Sequence, residues 1–320
     1  MKTVRKRYAV ALAATAVACV LAGEPAGAAP ALTSAGEKLG APDAAPAAAS
    51  GTAVDPDAPA GGTVPGATGA DARAAVGAAG THFGAVRQQG TGLRAAATEH
   101  HENYQWTTKA NAYGVIATQS VDPTIKIPST DDETVYAPTM VAGGESCIEL
   151  STIYYHGAAT LGAWNWCGKN PGFDKTTGFT STFMSTYTKK VGGHSYYGAK
   201  INRTDKASNT WTAWLYNRKT SKWDTFFTSK GTGKKPGHGW DMFETYNHVD
   251  AKTGNAYYCA AIKGHRFETT DVQFYVNGGW KHVTKADMNI APSASPDAKK
   301  DFHCSGLTFT YRNDGWVVSR

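Results

Sequence analysis

From residue 113 to residue 318 the chain is a succession of short runs rich in Thr, Val, Tyr, Phe and Trp, closed by Gly, Asn, Asp or Pro. No long stretch places apolar residues every three or four positions. The runs fall at 113–121, 134–141, 146–155, 161–167, 179–187, 194–201, 210–217, 222–228, 240–246, 256–262, 272–276, 279–283, 307–311 and 316–318. Composition of this kind suits a pleated, half-buried surface, so each run is expected to be a strand. Asn277-Gly278 and Asn313-Asp314-Gly315 each separate two runs and supply the positive φ that tight hairpins need. Strands at this spacing without helical crossovers predict an all-β fold, an antiparallel two-sheet β-sandwich of jelly-roll or lectin-like type. No repeat at a fixed period supports a propeller or solenoid.

The aromatic residues mark where that domain begins. All nine Trp, and every Tyr except Tyr8, lie at or after Tyr104. Residues 29–103 are dominated by Ala, Gly, Pro, Thr and Ser, with a turn of helix conceivable only at 71–76. So little apolar surface does not offset the entropy of ordering, and the stretch reads as a disordered spacer or propeptide. Lys2, Arg5, Lys6 and Arg7, the apolar run 8–23 and Ala26-Gly27-Ala28 have the layout of a secretory signal peptide. The expected organisation is a signal peptide (1–28), a spacer (29–103) and a β-sandwich (104–320), secreted and monomeric, with no membrane span.

Charge and cysteines narrow the partners. Removing residues 1–28 takes away four basic residues and Glu24, so the formal charge falls from +6 to +3. That balance calls for no polyanion, and nucleic acid is not an expected partner. Cys147, Cys167, Cys259 and Cys304 remain, an even set that reads in an exported chain as two disulfides. Sequential pairing, Cys147–Cys167 and Cys259–Cys304, is expected because each pair brackets a block of strands. No C-x-x-C is present, and His100-His101-Glu102 reads as a solvated cluster. Neither a metal site nor a cofactor is expected.

The aromatics and one carboxylate carry the functional signal. In 161–167 strand alternation sends Trp164 and Trp166 to one face and Asn165 and Cys167 to the other. In 210–217 it sends Trp211, Ala213 and Leu215 one way, and Trp214 and Tyr216 the other. Exposed rings flanked by Asn165, Asn217 and Asp241 would suit the apolar faces of sugar rings, so Trp164, Trp166, Trp214 and Tyr216 are candidate ligand contacts. The alternative is that these rings are core. In 240–246, Trp240, Met242, Glu244 and Tyr246 share a face, where a carboxyl would titrate high and suit acid–base chemistry. Its partner would be Glu145 or Glu149.

The blocks Leu161–Cys167, Phe183–Tyr187, Trp223–Phe227 and Gly239–Glu244 resemble a family of secreted actinobacterial proteins labelled carbohydrate-binding, over residues 140–318. That resemblance implies a polysaccharide or cell-wall glycan partner. More distantly the chain is similar to neprosin-type glutamic peptidases, exported β-sandwiches that use two glutamates on one sheet. That likeness implies Glu244 with Glu145 or Glu149 as the catalytic pair. The sequence thus favours a glycan-binding protein over an enzyme, with a glutamic acid peptidase and a non-catalytic cell-wall or protein interaction module as alternatives.

Overall fold

The structure is a computed structural model that describes residues 51–89, 99–108, 111–128, 133–235, 237–291 and 293–320. The expected signal peptide, and residues 29–50 and 90–98 of the expected spacer, lie outside the described residues. In chain order the first elements are β1 (Ala60–Thr63), β2 (Ala67–Thr68), α1 (Ala70–Gln89), β3 (Glu99–Thr108), β4 (Gly114–Val121) and β5 (Thr134–Val141). Next come β6 (Ile148–Tyr155), β7 (Ala158–Asn165), β8 (Gly172–Gly178), α2 (Ser181–Tyr187), β9 (Thr188–Val191) and β10 (His194–Asp205). They are followed by β11 (Thr210–Asn217), β12 (Lys222–Lys230), β13 (Trp240–His248), α3 (Tyr258–Ala261), β14 (Arg266–Val276) and β15 (Gly279–His282). Last are β16 (Met288–Ala291), α4 (Ala298–Phe302), β17 (Thr308–Arg312) and β18 (Gly315–Ser319).

The strands form the expected two-sheet sandwich. One sheet runs β1-β12-β11-β10-β4-β14-β18-β17, with β9 on β10 and β15 on β14; the other runs β16-β3-β13-β5-β6-β7-β8-β2. The pairings are antiparallel except β1 on β12. Both expected hairpins form, with Asn277 and Gly278 at φ 52° and 84° joining β14 to β15. The main core lies between the sheets and includes Trp211, Ala213, Leu215, Tyr197, Phe243, Phe267 and Trp316. Both expected disulfides are formed, Cys147–Cys167 beside β6 and β7, and Cys259–Cys304 beside α3 and α4.

Two expected strands are helices. Residues 181–187 form α2 because the Thr180 hydroxyl caps it, accepting from the Phe183 N–H at 3.2 Å. Helical spacing then puts Phe183 and Tyr187 on one buried face. Within 256–262, residues 258–261 coil into the single turn α3.

The larger departure is at the N-terminal side. Residues 51–89, read from the sequence as unstructured, bind the sandwich as a strap. Val54 and Ala58 pack with Ile116, Trp214, Tyr216 and Trp223 on the outer face of the first sheet. β1 then extends that sheet beside β12, and β2 extends the second beside β8. Finally α1 lies on the outer face of the second sheet, where Val76, Ala79 and Phe83 join Trp164, Trp166, Phe173 and Trp240 in one cluster. The entropy of ordering an Ala-rich segment is offset by apolar surface supplied by the sheets, not by the segment itself.

Candidate active site

Strand alternation aims one set of side chains from the second sheet at α1. β6 pairs with β5 and β7, and β5 pairs with β13, with registers Glu149↔Val141, Glu149↔Trp164, Val141↔Trp240 and Glu244↔Tyr136. Glu149, Trp164, Trp240 and Glu244 therefore share the outer face. Both carboxylates are enclosed: Glu149 is 0 % exposed and Glu244 1 %.

Glu149 is held by three fixed donors. Its Oε1 accepts from Trp240 Nε1 at 2.8 Å and Thr139 Oγ1 at 3.0 Å, and its Oε2 from Trp166 Nε1 at 3.2 Å. Glu244 Oε1 lies 2.5 Å from His101 Nε2. The remaining lone pairs meet a group from the strap. Arg87, near the end of α1, donates through Nη1 (2.7 Å) and Nη2 (2.6 Å) to Glu244, and through Nη2 (2.9 Å) and Nε (3.2 Å) to Glu149. Its guanidinium lies 4.3 Å from the Phe83 ring centroid and 5.4 Å from that of Trp240. One cation thus bridges two buried anions, the compensation such anions need.

The titration behaviour follows from that bridge. Burial alone pushes Glu244 up, but the charge of Arg87, with the hydrogen bond and charge of His101 behind it, overrides burial and brings it down to about 2. The sequence expectation of a raised value is overturned, because the apolar face carries an unforeseen guanidinium. Burial acts to lower Arg87, and the two carboxylates more than reverse it.

More of α1 is fitted to this face. The Tyr136 hydroxyl donates to the Ala79 carbonyl at 2.6 Å, and His82 stacks on Tyr246 with centroids 4.3 Å apart. Gly84 passes so close to Trp164 that a Cβ there would lie 2.9 Å from Cη2. Past Arg87 an opening remains, lined by Arg87, Trp166, Asn170, Pro171 and Lys234.

The sequence candidates separate into distinct places. Glu149 and Glu244 come together, while Glu145 is exposed in the turn before β6 and is not bound by Arg87. Trp164 and Trp166 are each 2 % exposed, so they present no open platform; α1 covers them. Trp214 and Tyr216 sit on the outer face of the other sheet and cannot form one strip with them. Asn165 is no rim group: its amide donates to Asp174 and its oxygen accepts from the Cys167 and Gly168 N–H groups and Ser229. Asn217 is likewise engaged with Asp224. Asp241 points between the sheets, accepting from Trp316 Nε1 (2.7 Å) and Gln119 Nε2 (3.1 Å), and burial pushes it up to about 7.

Arg87 was missed altogether. Its signal was faint but present: Ala79, Phe83 and Arg87 follow one another at four-residue helical spacing inside the Ala-rich stretch, after the break that Gly77 (φ 48°, ψ −132°) makes in α1.

No family model and no curated protein matches the chain. Among solved structures, a scytalido-glutamic peptidase bound to a peptide-based transition-state analogue is similar, at 12 % identity and a TM-score of 0.40. That match covers 69 % of this chain and 99 % of the other. SCP-B, a member of the eqolisin family of peptidases in complex with the tripeptide Ala-Ile-His, is similar at 11 % identity and a TM-score of 0.37. It is matched over 70 % of this chain and 99 % of its own.

Proposed function

We propose that the chain is an exported acid peptidase of paired-glutamate type, with Glu149 and Glu244 as its catalytic pair and Arg87 holding it latent. The observation that carries this reading is the bridge itself: two glutamates, buried on one sheet face, share a single guanidinium from a segment outside the sandwich. A pair of carboxyls serves peptide hydrolysis when one accepts a proton from water and the other gives one to the leaving nitrogen.

The donors suggest the division of labour. Glu149 is oriented by the Trp166, Trp240 and Thr139 donors, and it is assigned the base that takes a proton as water attacks the carbonyl carbon. When α1 leaves, Glu244 loses the Arg87 charge that holds it down, so its value rises toward the ordinary carboxyl range and in acid it is protonated and serves as the acid. One protonated and one ionised carboxyl is the state of an enzyme that works at acid pH. Trp164 Nε1 is buried without a hydrogen-bond partner among the described residues and would offer a donor to a substrate backbone once α1 has left.

This reading uses the aromatic face as the floor of a peptide groove. The glycan-platform expectation draws no support from rings that lie covered. Secretion fits the two disulfides and the absence, among the described residues, of a helix able to cross a membrane.

The test is cleavage of an unfolded protein substrate between pH 3 and 8. Arg87→Ala should cleave without a lag and at higher pH than the parent chain, and adding Glu149→Gln or Glu244→Gln should abolish cleavage while the fold is kept. A folded Arg87→Ala chain that cleaves nothing across this range would refute the proposal.

A further inference from the structure

β3 carries two constellations back to back. Its alternation turns His101 toward Glu244, and turns His100 and Glu102 the opposite way. There they meet His303, which arrives from the C-cap of α4 some two hundred positions later. His303 Nε2 lies 3.6 Å from Glu102 Oε1, and His100 Nδ1 lies 3.8 Å from the same oxygen. One donor atom from each of the three residues lies within 4.8 Å of the others, and the two imidazole centroids are 4.2 Å apart.

From this geometry we infer that His100, Glu102 and His303 form a binding site for a divalent transition-metal ion of the zinc class. Two imidazoles and a carboxylate favour zinc, cobalt or nickel over calcium or magnesium, which prefer oxygen donors throughout. Donor atoms around a tetrahedral zinc ion stand about 3.4 Å apart, so small side-chain rotations close the set. His100 and His303 are partly exposed, which leaves the fourth position open to water.

The surroundings hold the donors in place. Glu102 is oriented by the Thr245 hydroxyl, which donates to Oε2 at 3.1 Å, and by the Asn247 amide, leaving Oε1 toward the imidazoles. Carboxylate ligands are commonly fixed by outer hydrogen bonds of this kind. The His303 backbone is fixed too: its φ is +47°, its carbonyl accepts from the Ala256 N–H at 2.6 Å, and Cys304 beside it is bonded to Cys259. A bound ion would tie the sheet edge at β3 to the disulfide-anchored turn after α4. The inference does not depend on the peptidase reading.

The test uses untagged full-length protein, stripped with a chelator and titrated with Co²⁺ and then Zn²⁺. One Co²⁺ per chain should bind with visible absorption bands of low-symmetry coordination, and Zn²⁺ should displace it. His100→Ala, Glu102→Gln and His303→Asn (the last chosen because Asn tolerates the left-handed φ) should each weaken binding by more than about tenfold. Exposed His282→Ala should leave binding unchanged. Failure of the folded parent chain to bind either ion, or unchanged binding in folded His100→Ala and His303→Asn chains, would overturn the site.

Discussion

A guanidinium set between two buried carboxylates makes the docking of α1 depend on pH, and the sign follows from Glu244. Its value with α1 in place is depressed to about 2, against an ordinary 4.5. A depressed carboxyl stabilises the docked state above its ordinary value, and that contribution disappears as pH falls toward the depressed one. The strap should therefore loosen between about pH 4.5 and 2. Tryptophan fluorescence from the floor under α1, with protease sensitivity of residues 51–89, should follow this window, and Glu244→Gln should flatten the response. A strap equally tight at pH 2.5 and pH 7 would contradict the bridge as a latch. Removing the cation at neutral pH strands both anions, a loss of roughly 3–5 kcal/mol for a buried pair, so Arg87→Ala should mimic acid.

At the level of α1 itself the anchors are apolar. Phe83 packs tilted or edge-on against Tyr136, Trp164 and Phe173, with centroids 4.9–5.2 Å away. Phe83→Ala should weaken docking by about 3–5 kcal/mol, and Gly84→Leu should lift the helix by colliding with Trp164. Both should raise peptidase activity near neutral pH without shifting the unfolding of the sandwich; unchanged latency would mean α1 does not obstruct the site.

The strands were readable because a period of two survives in Thr/Val/Trp runs, and the hairpins because Asn-Gly accepts positive φ. The helix α2 was not, since Phe, Thr and Tyr are strand-prone and a single Thr180 cap decided the matter. Alternation also says that Trp164 and Asn165 part ways, but not which face meets the other sheet. Glu244 was legible as a carboxylate among rings. The spacing of Ala79, Phe83 and Arg87 hints at a helix, but the partners that Arg87 and His303 meet come from far along the chain, and no local pattern encodes them.

Across the molecule, residues 51–89 touch both outer faces and extend one edge of each sheet. On the proposed reading the inhibitor is part of the same chain and cannot be diluted away, with an effective concentration on the order of millimolar or above. Cutting the chain between Gln89 and Glu99 should change that. Latency should then weaken on dilution, while the uncut chain stays equally latent at every concentration. A fully cut chain whose specific activity never rises on dilution, even in acid, would exclude α1 as the inhibitor.

Arg87 and Phe83 also amount to a template for inhibitor chemistry. A flat cation grips both carboxylates while an arene, 4.3 Å from it, fills a pocket walled by Tyr136, Trp164 and Phe173. A small aryl guanidine or amidine that keeps this spacing would present the same two anchors with far fewer atoms than the helix.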